Sequence, residues 1–233
     1  MLPDESDYSL NGDMSKRIAL RTSEMDWQPS PSGSVWRKRL HLVGGAESGQ
    51  VTSVVRYEKG AMFAAHDHPE GEEILVLDGV FSDEHGDWPA GTYLLNPEGF
   101  RHAPFSEPGC LLFVKLRQYA GAVRHHVALC TREVAWQPAD RTGAEEKILY
   151  AHPDFSNAMR LERWAPGTTT EVPDRTEGTE VFVLEGSLEH DSESYDLLSW
   201  LRFPVGEVHN LATREGCVLY IKTGALGSLR SSG

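Results

Sequence analysis

The stretch Gly60–His102, GAMFAAHDHPEGEEILVLDGVFSDEHGDWPAGTYLLNPEGFRH, decides how the chain is read. It sets His66 and His68 before a Pro69-Glu70-Gly71 turn, Glu72 directly after it, and His102 just past a Pro97-Glu98-Gly99 turn. Strand side chains alternate, so two His one residue apart share a face. The first turn lets Glu72 return on a neighbouring strand toward the same pair. Three imidazoles and one carboxylate converging inside a small barrel make a divalent-metal site of nitrogen and oxygen donors. Burying that set in a dry interior without a cation carries a large desolvation penalty, which a cation removes.

Working outward, the 233 residues suffice for one large or two small domains, and 39% hydrophobic with 24% charged content is ordinary for a globular chain. The 22 Gly and 13 Pro suit many short strands joined by turns. Val51–Glu58, Ile74–Phe81, Thr92–Leu95 and Leu111–Leu116 read as strands, and no amphipathic helix of useful length is visible. No run approaches the roughly 18 apolar residues of a membrane span. The N-terminal MLPDESDYSLNGD lacks the apolar core of a signal peptide. The expectation is a cytoplasmic protein with no membrane partner. A net charge of −13 with scattered Lys and Arg predicts no nucleic-acid partner. Cys110, Cys130 and Cys217 are an odd count without metal-finger spacing, so they read as free thiols.

Sliding the chain against itself reveals an internal repeat. At an offset of 107, Gly60, Gly79, Pro97, Gly99, His102 and Lys115 fall on Gly167, Gly186, Pro204, Gly206, His209 and Lys222. Upstream, Trp27-Gln28-Pro29 matches Trp136-Gln137-Pro138 at an offset of 109. The expected organisation is a mobile tail over 1–23, two all-β domains over 24–124 and 125–226, and a C-terminal tail over 227–233. The repeat also chooses between Glu72 and Glu73 as fourth ligand. In the second copy His66, His68 and Glu72 become Pro173, Arg175 and Thr179, whereas Glu73 persists as Glu180. Glu72 disappears with the His pair and is the ligand candidate. Glu73 and Glu180 point to the opposite face, where an ion pair on the outer surface is expected. Cys217 persists in a copy without the site, so Cys110 reads as core packing.

The pattern Gly60-x5-His66-x-His68-x3-Glu72-x6-Gly79 followed by Gly91-x5-Pro97-x-Gly99-x2-His102 resembles the two motifs of the cupin superfamily, with Ser106 where the second motif often has Asn. The surrounding text resembles the ChrR-like branch, named for the C-terminal domain of a zinc-dependent anti-sigma factor. The resemblance implies two tandem jelly-roll β-sandwich barrels, a bicupin. It implies one divalent metal per chain, Zn2+ or Fe2+ with Mn2+ or Ni2+ also allowed, held by His66, His68, Glu72 and His102. That branch's anti-sigma module is an N-terminal helical zinc-binding domain, which this sequence is expected to lack. The leading reading is therefore a stand-alone metal-binding sensor or ligand-binding protein, which could form a homodimer. The alternative is a non-haem Fe(II) dioxygenase cleaving small ketones or diketones, with Phe63, Tyr93, Leu95 and Phe105 lining its pocket.

In the second domain, Pro173, Arg175, Thr179 and His209 cannot hold a metal. It reads as a scaffold first, or as an anion pocket in which Arg175 carries the charge. His125-His126 reads as linker, since adjacent strand residues face opposite sides. Glu84, His85 and Asp87 read as a solvated loop at the pocket mouth.

Overall fold

The apolar runs between Gly and Pro turns become strands, because alternation gives each one buried face. The computed structural model describes residues 8–121, 123–173, 178–224 and 226–231. The four expected strands are Gln50–Tyr57, Glu72–Asp83, Thr92–Asn96 and Cys110–Leu116. Among the described residues the helical elements are two three-residue 3-10 turns, Thr22–Glu24 and Leu226–Ser228. The fold is all-β, and no described helix is long and apolar enough to cross a membrane.

The chain divides into two units. The first sheet runs in the order Ser9–Leu10, Val35–Val43, Gln50–Tyr57, Cys110–Leu116, Glu72–Asp83, Thr92–Asn96, Val127–Cys130. A separate ladder pairs His66–His68 with Phe100–His102. The second unit repeats the arrangement, with Cys217–Thr223 between Phe155–Trp164 and Thr179–Gly186. Each has its own apolar core, around Val35, Ile74, Val76, Phe81 and Leu112 in the first. In the second the core gathers Trp164, Val181, Val183, Leu201 and Phe203.

One bend does most to shape the first unit. The strand Glu72–Asp83 pairs with Cys110–Leu116 in a register that skips a residue between Leu111 and Leu112. Leu77 is the extra residue of this β-bulge, and Gly79 follows at φ 72°. A bulge bends its strand and shifts the alternation by one. Glu72, Ile74 and Val76 face the interior before it, and Phe81 and Asp83 face it after. Gly79 packs so closely on the neighbouring strand that an added Cβ would lie 2.0 Å from the Gly109 carbonyl oxygen. The second unit has the same device, with a register shift between Val183 and Glu185 and Gly186 at φ 70°.

Four expectations are corrected. The tail over 1–23 carries two strands from residue 8 onward: Ser9–Leu10 pairs with Val35–Val43, and Ile18–Leu20 pairs with Trp200–Phe203 in the second unit. Short apolar triplets such as Ile18-Ala19-Leu20 have no visible periodicity until a sheet edge accepts them. The boundary at 124/125 shifts as well, because Val127–Cys130 pairs with Thr92–Asn96 and belongs to the first unit. In the C-terminal segment over 227–233, Leu229 is buried, and Arg230 bonds Gln50 and ion-pairs with Glu70. Finally, Glu73 and Glu180 are buried at 2% exposure rather than lying on an outer surface. Each sits opposite a lysine on the next strand, Lys115 and Lys222. Tyr119 donates to Glu73, and the Trp200 indole donates to Glu180 at 3.1 Å.

The left-handed glycines of turn and bulge give a graded test. Gly60 sits at φ 74° with open space around it, so Gly60→Ala should lower stability by about 1 kcal/mol through the left-handed backbone alone. Gly79→Ala and Gly186→Ala add a backbone collision and should lower it by about 3 kcal/mol or more, read from denaturant midpoints.

Candidate metal centre

Two short strands set the histidines. In the antiparallel ladder His66 lies opposite His102, and His68 opposite Phe100. Alternation sends the three imidazoles to one side and Asp67 and Arg101 to the other, where they form an exposed ion pair at 3.1 Å. The donor atoms of His66, His68 and His102 lie within 4.8 Å of one another. His68 Nε2 and His102 Nε2 are 2.9 Å apart. Glu72 Oε2 stands 3.4 Å from the first and 3.5 Å from the second. His68, Glu72 and His102 are buried, and His66 is half-buried.

The outer contacts fix how these rings are aimed. His66 Nδ1–H donates to the Ala64 carbonyl at 2.9 Å, and His102 Nδ1–H donates to Asp83 Oδ2 at 3.0 Å. That assigns both protons to Nδ1 and leaves Nε2 with its lone pair, the usual arrangement of a metal-ligating imidazole. Asn96 Nδ2–H donates to Glu72 Oε2 at 2.9 Å. Ring nitrogens facing each other at 2.9 Å repel unless a proton or cation lies between them. The donor set therefore fits a divalent metal.

The titration behaviour follows from burial and these contacts. Burial depresses the His68 pKa, only partly opposed by the Glu72 charge. Burial also acts to depress His102, but the Asp83 hydrogen bond and the Glu72 charge outweigh it, and its pKa stands above the usual value. Burial tends to raise the Asp83 carboxyl, yet bonds from His102, the His85 amide and the Trp88 indole hold it below the usual range.

Asp83 is the site residue that the sequence reading missed. Strict alternation puts residues 72 and 83 on opposite faces, and the bulge at Leu77 brings both to one side. The Gly79 signal, read as a bulge, would have revealed it.

The centre opens onto a cavity of about 380 Å3, walled by apolar side chains including Val55, Tyr57, Phe63, Phe81 and Leu112. Phe63 lines it as expected. Tyr93 and Leu95 do not, because Leu94 and Asn96 take the interior face of their strand. Phe105 is also outside the lining, on a short strand paired with Met62 and Ser82. Glu84, His85 and Asp87 form a polar turn away from the cavity lining: Glu84 accepts the Ala103 amide, and Asp87 the Ser82 hydroxyl. His126 is more than linker, since its ring stacks on Phe100 at 5.1 Å and 7°.

The second unit keeps the frame and fills the site. Phe203 stands where Asn96 does, and its ring stacks on His209 at 3.9 Å and 29°. His190 takes the place of Asp83, and Thr179 that of Glu72. The position of an open centre is thus occupied by an aromatic ring of the apolar core. Arg175, on which an anion pocket would rest, lies outside the described residues, as does the side chain of Pro173.

The family model for the ChrR cupin-like domain matches residues 15–120 and again 124–227. No curated protein sequence matches the chain. Solved structures share its fold at low identity. A dioxygenase candidate from Nostoc punctiforme is 14% identical at a TM-score of 0.72, over 95% of this chain and 86% of that one. The pirin YhhW of Escherichia coli in complex with nickel(II) is 14% identical at 0.66, over 93% and 100%. Salicylate 1,2-dioxygenase of Pseudoaminobacter salicylatoxidans, with gentisate, is 11% identical at 0.63, over 97% and 84%. At these identities the likeness is one of fold.

The thiols give a direct check on the centre's surroundings. Burial pushes Cys110 and Cys217 up to about 11. A thiol at that value is about one part in a thousand thiolate at pH 8. In the native protein a disulfide-exchange reagent at pH 8 should label half-exposed Cys130 and spare the other two, with mass spectrometry locating the label.

Proposed function

The chain belongs to the ChrR cupin-like family, and on that premise we propose that its first barrel is a metal-dependent enzyme centre. His66, His68 and His102 hold one divalent ion, and Glu72 is a fourth donor that can leave. The remaining positions take a small oxygen-donor substrate from the cavity. The observation that carries this reading is the cavity of about 380 Å3 directly beside the ligand candidates, since a purely structural ion needs no such space. Nitrogen and carboxylate donors without thiolate suit iron, and a bound iron would supply Lewis acidity and dioxygen chemistry. Cleavage of a carbon–carbon bond in a small ketone or diketone is the reaction class.

The chain's own residues prepare that chemistry. Asp83 holds the tautomer of His102, and the Ala64 carbonyl does the same for His66. Asn96 donates to Glu72 Oε2 and sets the position of this carboxylate beside the histidines. Phe63 and Phe81 keep the substrate space apolar and limit water. The second reading, a metal-bound sensor, is favoured by the Glu72 oxygen, which lies close enough to two ring nitrogens to close a four-ligand site.

Metal analysis of protein purified without added metal should give one equivalent per chain. His66→Ala or His102→Ala should empty it, and His209→Ala should leave the content unchanged. Two equivalents, or dependence on His209, would sink the assignment. Asp83→Asn should weaken metal affinity ~10- to 100-fold by releasing the orientation of His102. The Fe(II)-loaded protein should consume dioxygen when given small β-diketones or oxo compounds. Bound iron with no uptake across a broad panel would favour the sensor.

A further inference from the structure

Arg117 lines the same cavity, and neither the fold nor the metal explains it. Its backbone is at φ 60°, a left-handed conformation that a long side chain rarely adopts and that costs about 1–2 kcal/mol. Its amide donates to the Gly71 carbonyl, and its own carbonyl accepts from Gln50 Nε2 at 2.7 Å. Its guanidinium makes no hydrogen bond or ion pair among the described residues.

The second unit shows what the backbone alone asks for. Leu116 pairs with Glu72 as Thr223 pairs with Thr179, so Arg117 corresponds to Gly224. Gly224 has φ 78°, the same left-handed turn made by the residue best suited to it. The first unit therefore keeps a strained arginine where glycine would serve, and strain of this kind gathers at functional sites. Two more arginines line the cavity, Arg37 and Arg39. Their counterparts by strand register are Glu146 and Ile148. All three are missing from the unit that has no metal ligands.

Three arginines and three carboxylates, Glu47, Asp67 and Glu72, line the cavity, and Arg117 is the arginine among them with no ion pair among the described residues. Arg37 and Arg39 share one carboxylate, Glu47, at 2.7 and 3.1 Å. Asp67 is engaged outside by Arg101. Arg117 adds a further positive charge on the wall of the cavity that His68 also lines. Glu72 stands beside the histidines and offsets a cation there, whereas the Arg117 guanidinium has no carboxylate partner among the described residues.

We propose that Arg117 anchors an anion subsite, and that the first barrel takes a small carboxylate with an apolar body and an oxygen donor at its far end. This means an oxo acid in place of a neutral ketone. The oxygen-donor end rests on the metal reading above, and the carboxylate end rests on Arg117 alone.

The test uses the full chain loaded with zinc, which binds oxygen donors without consuming the ligand. Levulinate and 5-oxohexanoate are titrated calorimetrically against the neutral diketones of the same length, 2,5-hexanedione and 2,6-heptanedione. The acids should bind at least ~10-fold more tightly than their diketones. Arg117→Gln should weaken the acids ~10- to 100-fold and leave the diketones within about twofold. Arg117→Gly, which relieves the backbone, should melt no lower than the parent and lose the same preference. That separates a lost guanidinium from a misfolded barrel. Equal binding of acid and diketone, no binding of either, or a preference that survives both variants would overturn the proposal. Zinc content is measured on every sample. Missing zinc with an Arg117-dependent acid preference overturns the metal reading alone, and bound zinc without the preference overturns the anion subsite alone.

Discussion

The contact on which the first barrel depends is the approach of Gly79 to the Gly109 carbonyl. No side chain fits between them, so the long strand can bulge and bend at that point. The bend lets one strand serve two parts of the barrel. Its first half pairs with Cys110–Leu116 and Thr92–Asn96, and its second half with Gly86–Pro89. It also converts an odd spacing into a shared face. Glu72 reaches the histidines from one end of the strand, and Asp83 reaches His102 from the other.

The second unit acts as a control on this geometry. It keeps the bulge, the glycine and the buried glutamate–lysine positions, so these belong to the frame. It replaces the ligand candidates and fills the space beside His209 with Phe203. A frame that tolerates an aromatic ring in place of a polar centre does not itself require the centre. The buried polar set of the first unit is therefore an addition to the frame and not a condition of it.

The histidine set, the two Pro-x-Gly turns and the repeat were legible because each is a local pattern tied to a backbone need. Gly79 and Gly186 recur at a fixed offset because both turns need a left-handed residue. What escaped the sequence depends on partners distant in the chain. Asp83 was hidden by a one-residue shift of alternation. Tyr93 and Leu95 carried apolar character without showing which face of their strand was interior. Ile18–Leu20 and Val127–Cys130 gave too few residues to announce their sheets, and Phe203 became informative only beside His209. The strain at Arg117 had no signal in the residue type at all.

The pairing of Ile18–Leu20 with Trp200–Phe203 also places an event in time. The early strand leaves the ribosome some 180 residues ahead of its partner, which at ordinary synthesis rates is roughly 10–40 s. Through that interval an Ile-Ala-Leu edge waits in the nascent chain with its backbone groups unmatched, while the first barrel can already close once Cys130 has emerged. The charged residues around that triplet, with Lys16, Arg17 and Arg21 next to it and acidic residues on either side of them, are therefore suited to keeping a waiting strand soluble until the last third of the protein is made.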